Sequence, residues 1–214
     1  MKVKDFCLKY RHALWMVCYL PIYLIVFFIA EHTVTSDYFV IECALDRYIP
    51  FNEWFILPYF LWFPYIAVGV LYFIFTNKNE YYRLSASLIT GMTVFLIVSF
   101  VFPNGLTMRP DLSALGRDNI ALRLLGGLHK ADTQTNVCPS IHVYNSLAVC
   151  FAVCTASRLK KKLPVKLAVV FLTVMICLST MFLKQHSVID VIAAVILFLV
   201  LTPVCYLVRR KKTN

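Results

Sequence analysis

His186 and Asp190 stand four residues apart in the run Lys184-Gln185-His186-Ser187-Val188-Ile189-Asp190. On a helix that spacing puts a carboxylate and an imidazole on one face, where the carboxylate fixes the ring's tautomer and stabilises its cationic form. A second histidine closes the run Asn136-Val137-Cys138-Pro139-Ser140-Ile141-His142. Ser140 after Pro139 reads as a helix N-cap. The free N–H groups of the turn that follows form an anion site, and His142 faces it. Arg109-Pro110 makes a third polar cluster. Two imidazoles, one carboxylate and the cations Arg109 and Lys184, with no zinc-ligand spacing in the sequence, suit phosphoryl transfer. The cations and N–H groups would hold phosphate oxygens. One histidine would attack phosphorus and the other would protonate the leaving oxygen.

Composition says what kind of element must bring these groups together. The chain has 214 residues, 60% hydrophobic and 15% charged, with a mean hydropathy of +0.74. A soluble domain is nearer 45–50% apolar and about 25% charged, and a globule of this size cannot hide the excess. A soluble enzyme, a disordered tail and a disulfide scaffold are excluded, which leaves an integral membrane protein. Six stretches approach the roughly 20 apolar residues a spanning helix needs: about 13–30, 54–76, 84–103, 141–157, 163–183 and 187–208. The fold expected is all-α, a six-span bundle forming one domain over 1–214, with 104–140 as a long outer loop that forms part of the active site. Residues 118–128 within that loop read as a short interfacial helix. The first span contains Pro21 and lacks a small-residue cleavage site before Glu31, so it reads as a retained span.

With both termini cytoplasmic, 15 of the 21 Lys and Arg fall in the inside segments and 9 of the 11 acids fall outside or near that face, as the positive-inside rule requires. The formal charge of +10 is therefore a topology signal and a contact for anionic lipid head groups, not a nucleic-acid footprint. In this topology all three polar clusters lie at the extracytoplasmic face. His142 and His186 are 44 residues apart, the length of one descent, a short basic turn and one ascent, so both can meet at one site. Ionisable groups at membrane depth are costly and mark function. Of the eight cysteines, most sit in spans as small hydrophobes; Cys43 and Cys138 lie on the outer side, where a bridge is open to them.

These clusters resemble the type-2 phosphatidic acid phosphatase superfamily. Its first motif, Lys-x6-Arg-Pro, matches at Arg109-Pro110. Its second, Pro-Ser-Gly-His, matches Pro139-Ser140-Ile141-His142 with Ile for Gly. Its third, Ser-Arg-x5-His-x3-Asp, matches Ser179, His186 and Asp190 in spacing. The resemblance implies a lipid phosphate or pyrophosphate as substrate and a phosphohistidine mechanism needing no metal or other cofactor. His186 would be the nucleophile, Asp190 its orienting carboxylate and His142 the general acid, then base. Arg109, Ser140 and Ser179 would hold the phosphoryl oxygens. Two cations of the pattern are absent, since Phe102 stands at the Lys position and Thr180 at the Arg position; Lys184 is the expected substitute. The sphingomyelin synthase and inositol phosphorylceramide synthase branch also resembles the Lys184 to Asp190 segment, so a lipid phosphotransferase is the alternative, followed by a non-catalytic lipid-binding pseudoenzyme. The expected setting is a plasma membrane, with a size that suits a bacterium, membrane lipid as the only partner, and an oligomeric state that the sequence leaves open.

Overall fold

The structure, a computed structural model, describes Asp5, residues 8–34 and residues 37–207. Six apolar helices pack together: α1 (Leu14–Thr33), α2 (Ile56–Thr76), α3 (Lys78–Val101), α5 (Ile141–Thr155), α6 (Leu163–Phe182) and α7 (Val188–Leu207). A shorter helix, α4 (Ile120–Ala131), lies in the connection between α3 and α5. Five of them, α1, α2, α3, α6 and α7, are long and apolar enough to cross a membrane. Helix α5 has 15 residues, about 22 Å at the helical rise of about 1.5 Å per residue, against roughly 30 Å of hydrocarbon. The chain is an all-α membrane protein, and α5 is its shortest apolar rod.

Several span boundaries move relative to the sequence expectation. Helix α1 runs on to Thr33, so Glu31 belongs to its last turn and not to a loop. Helix α3 begins at Lys78 rather than at residue 84, because the Asn77 side chain caps it by accepting from the N–H groups of Asn79 and Glu80. It ends at Val101, two residues before Pro103. Helix α5 stops at Thr155 rather than at residue 157, and Ala156 already has extended ψ. Residue 208, the last of the expected sixth span, lies outside the described residues, as do the basic residues 209–212 and Lys2 and Lys4.

Helix α5 is the hub, in contact with α2, α3, α6 and α7. Two glycines let it approach its neighbours closely. A Cβ at Gly69 of α2 would come within 2.6 Å of Val149, and one at Gly91 of α3 would overlap the Tyr144 ring; small residues serve helix packing in apolar surroundings in this way. Tyr144, fully buried, donates from its hydroxyl to Ser87 O at 2.9 Å. Tyr65 and Thr173 join α2 to α6 through hydroxyls 2.8 Å apart, and Ser87 and Thr202 join α3 to α7 at the same distance.

At the histidine end of the bundle the connections are stitched to one another. Strands β1 (Phe39–Val40) and β2 (Asn104–Gly105) pair in parallel, and Gly105 also bridges Thr135. The Asn104 carboxamide oxygen accepts from the N–H groups of Val137 and Cys138 at 3.0 and 2.8 Å. Glu31, buried, accepts from the Thr133 hydroxyl and from Asn136 Nδ2 at 3.0 Å. The backbone entering α5 is thereby fixed from two sides, which sets where His142 stands.

Candidate active site

Helix α6 ends in a tight reversal. Lys184 adopts the left-handed conformation with φ 59°, which costs a non-glycine residue roughly 1–2 kcal/mol. The N–H groups of Gln185 and His186 both return to Thr180 O, at 2.9 and 3.0 Å. Helix α7 then starts with Ser187 as its cap: its hydroxyl accepts from Ile189 N at 3.1 Å, and Asp190 Oδ2 accepts from Ser187 N at 2.9 Å. This reciprocal cap turns Asp190 back toward the loop that carries His186.

His186 Nδ1 lies 3.4 Å from Asp190 Oδ2, a separation that such contacts shorten when a reacting group is bound. Nδ1 is the ring nitrogen that faces the carboxylate without a formed hydrogen bond, which leaves Nε2 for chemistry. The His142 ring centroid is 5.6 Å from that of His186, inside the distance at which two imidazoles flank one phosphoryl group. His142 is held against Tyr59 and Trp62 of α2, with centroids at 4.6 and 4.4 Å. Ser140 is the N-cap of α5, as its place after Pro139 predicts. It is fully buried, accepts from Val143 N at 3.5 Å and donates its own N–H to Asp190 O at 3.2 Å. The starts of α5 and α7 are thus bonded directly, and both histidines ride on that joint.

Arg109 reaches the same region from the connection after α3. Its Nη1 donates to Asp132 O at 2.6 Å. Its Nη2 donates to Thr133 O and Gln185 Oε1, both at 2.6 Å, and meets Asp132 Oδ2 at 3.3 Å. Burial works against the Arg109 charge and depresses its pKa, which the carboxylates of Asp132 and Glu31 partly offset. Burial raises the Asp132 pKa, and Arg109 and His186 pull it back. Because Gln185 Oε1 accepts from Arg109, its Nε2 is the donor to His129 Nε2 at 3.0 Å, so His129 carries its proton on Nδ1. Burial and nearby Arg109 lower the His129 pKa to about 4, and the ring is neutral at physiological pH.

Two expected phosphate ligands have their polar atoms bonded to backbone carbonyls instead. Lys184 donates its ammonium to Asp46 O and Ile49 O, at 2.6 and 2.5 Å, where burial lowers its pKa. The left-handed turn at this residue directs its long stem to the connection between α1 and α2. Ser179 is fully buried and donates to Ile176 O of its own helix at 2.6 Å. Phe102 stacks on Phe39 at 4.8 Å, and Thr180 is fully buried. Cys43 and Cys138 are both free thiols, so no bridge joins them. Burial and the neighbouring Asp190 carboxylate push the Cys138 thiol up to about 12.

Sequence reasoning missed four supporting residues. Tyr59 and Trp62 wall His142. Gln185 ties Arg109 to α4. Asp46, buried in the connection before α2, accepts from Val188 N, the Ser187 hydroxyl and Cys43 N at 2.8, 2.7 and 2.7 Å. The i,i+3 pair Tyr59/Trp62 was visible as a pattern; nothing local marked Asp46. Burial raises the Asp46 pKa, and the bonds from Cys43, Val188 and Ser187 more than reverse this, leaving it below its ordinary 3.8. The stability it supplies is complete above that value and is lost as pH falls through the lower folded one. Asp46→Ala is expected to destabilise the detergent-solubilised protein by about 1–2 kcal/mol, read as a lower thermal midpoint at neutral pH. An unchanged midpoint would show that the cap contributes nothing.

Four polar atoms near the histidines are buried with no hydrogen-bond partner among the described residues: His142 Nδ1, His186 Nδ1, Asp190 Oδ1 and Trp62 Nε1. Buried polar atoms are normally satisfied, so their clustering fits a place that receives a polar group. The family model described as PAP2 superfamily matches residues 84–214, the segment that contains both histidines, Arg109 and Asp190. Comparison with curated proteins returns no match, and neither does comparison with solved structures.

Proposed function

The chain belongs to the PAP2 superfamily, whose members are phosphatases or phosphotransferases, and on that premise we propose that it cleaves a phosphate ester of a membrane lipid through a phosphohistidine. The observation that carries this reading is the pair of imidazoles 5.6 Å apart with Asp190 3.4 Å behind one of them. His186 Nε2 attacks phosphorus while Asp190 holds Nδ1–H and supports the growing positive charge. The bond from phosphorus to the lipid oxygen breaks, and His142 gives that oxygen its proton. In the second half His142 takes a proton from the acceptor, whose oxygen attacks phosphorus and frees His186. The first-turn N–H groups of α5 and the Arg109 charge stabilise the equatorial oxygens.

The reading places the site at the extracytoplasmic face of a plasma membrane, with all six apolar helices as spans. The 15 to 6 division of Lys and Arg supports that orientation. Water as acceptor makes the enzyme a phosphatase. An alcohol makes it a head-group transferase, and the scarcity of cations at the site favours keeping that second reading. Neither needs a metal.

Protein incubated with a lipid labelled at its phosphorus and quenched in alkali is expected to carry an acid-labile label on the chain. Turnover is expected to be undiminished by a chelator. Product formation with no trapped label, or loss of activity on chelation, would count against the mechanism.

A further inference from the structure

His186 has a carboxylate facing its Nδ1 at 3.4 Å. His142 Nδ1, by contrast, is buried with no hydrogen-bond partner among the described residues. On the phosphohistidine reading, which is the premise here, that nitrogen matters to the reaction. To protonate the leaving oxygen from Nε2 and later accept a proton there, the ring must keep its other proton on Nδ1 throughout. An imidazolium carries a donor on each nitrogen. A buried N–H of a charged ring is costly when nothing accepts from it, so Nδ1–H needs an acceptor each time the ring is charged.

Two acceptors stand unused one helical turn below. Asn145 Oδ1 and Ser146 Oγ of α5 are buried and unpartnered, in residues 2% and 0% exposed. Trp62 Nε1, also unpartnered and beside His142, is a donor only and cannot serve. Ser146 follows His142 by four residues, the spacing of neighbours on one helix face. Helical side chains lean toward the N-terminus, so the Ser146 hydroxyl leans toward the turn that carries the imidazole. The surroundings agree. The His142 ring lies between Trp62 of α2 and His186, which follows α6. The Ser146 carbonyl accepts from the Tyr65 hydroxyl of α2 at 3.4 Å, and that hydroxyl is 2.8 Å from the one on Thr173 of α6. Ring and serine therefore share the side of α5 that faces α2 and α6. Asn145 stands about 100° away around the helix axis.

We propose that Ser146 is the positioning residue of His142. Its Oγ accepts from Nδ1–H, directly or across one water bound among these buried polar groups. Its own O–H donates to the His142 carbonyl one turn back, a common bond for a helical serine. When the proton on Nε2 passes to the lipid oxygen, the N–H bond breaks as the O–H bond forms, and the electron pair stays on Nε2. Nδ1–H and its bond to Ser146 are untouched, so the neutral ring is left in the tautomer that a base requires. Nε2 then takes the proton of the incoming water or alcohol, and the ring is an imidazolium again. Ser146 touches neither phosphorus nor lipid in this scheme and acts only through the ring.

The test uses the purified full chain in mixed micelles. Diacylglycerol release is followed from dioleoyl phosphatidic acid and from dioleoyl phosphatidylglycerol with glycerol present, and nitrophenol release from p-nitrophenyl phosphate. Ser146→Ala is expected to lose about 10- to 100-fold in kcat on whichever lipid the native protein cleaves, the worth of a hydrogen bond to a charged group, with KM unchanged. The nitrophenol burst should keep its native rate, since nitrophenolate leaves without a proton, and only the turnover after the burst should slow. Ser146→Cys, close to serine in size but weak in hydrogen bonding, carries the same expectation should the alanine variant fail to fold. Asn145→Ala should show no such selectivity. Equal losses on lipid and nitrophenyl ester, no loss on either, or the selective loss in Asn145→Ala in place of the Ser146 variants overturns the proposal and leaves the phosphohistidine reading standing. A native protein that cleaves neither lipid overturns both.

Discussion

His186→Ala is expected to lose at least about 10⁴-fold in kcat while keeping its detergent-solubilised fold and thermal midpoint. Removing the nucleophile abolishes the covalent route and leaves only binding and electrostatic assistance. The fold should survive, because the ring makes no hydrogen bond that holds α7 in place. That work is done by Ser187, Asp46 and the Asp190 side chain, together with the bond from Ser140 N–H to Asp190 O. Alanine keeps the backbone N–H that bonds Thr180 O. The phosphorus label should disappear from this variant as completely as the turnover does. A folded His186→Ala protein that still turns over at more than about a hundredth of the native rate would remove His186 from the nucleophile's role.

The second large effect belongs to His142 and is selective. As general acid it is worth about 10²- to 10⁴-fold where the leaving group is a lipid alkoxide. A p-nitrophenolate departs without a proton. His142→Ala is therefore expected to lose that full factor on the lipid. On the p-nitrophenyl ester of the same phosphate it should retain a burst of nitrophenol stoichiometric with protein, followed by slow turnover, because the same residue is needed to activate the acceptor. Rapid-quench measurement of the burst checks this. Equal losses on both esters, with no burst, would reduce His142 to a packing residue held between Tyr59 and Trp62.

The chemistry was more legible in the sequence than its support. The i,i+4 pair His186/Asp190 and the capping Ser140 are local patterns, and backbone geometry alone carries them into place. The meeting of His142 with His186 followed from counting residues through two apolar helices. Lys184 shows where such reasoning stops. Its stem can swing to either side of the turn, and the partners that decided it, Asp46 and Ile49, lie 138 and 135 residues away in sequence. Asp46 itself sits in a connection without periodicity, and its importance appears only when α7 comes to rest on it. The helix ends were misread for a different reason. Hydropathy finds the oil-soluble middle of a rod, whereas Asn77 starts α3 six residues before that middle begins, and α1 runs past its apolar stretch so that Glu31 can reach Thr133 and Asn136.

The brevity of α5 has a geometric result. A central post of 15 residues is ringed by neighbours of 20 to 24 and bonded at its start to the third residue of α7, so both imidazoles stand at the end of the shortest apolar rod rather than level with the tips of the longer ones. On the proposed function, a guest whose tails stay dissolved among its fellow amphiphiles would have only to bow its head toward that recessed end. The oil would then never have to release its cargo while the reacting bond met water.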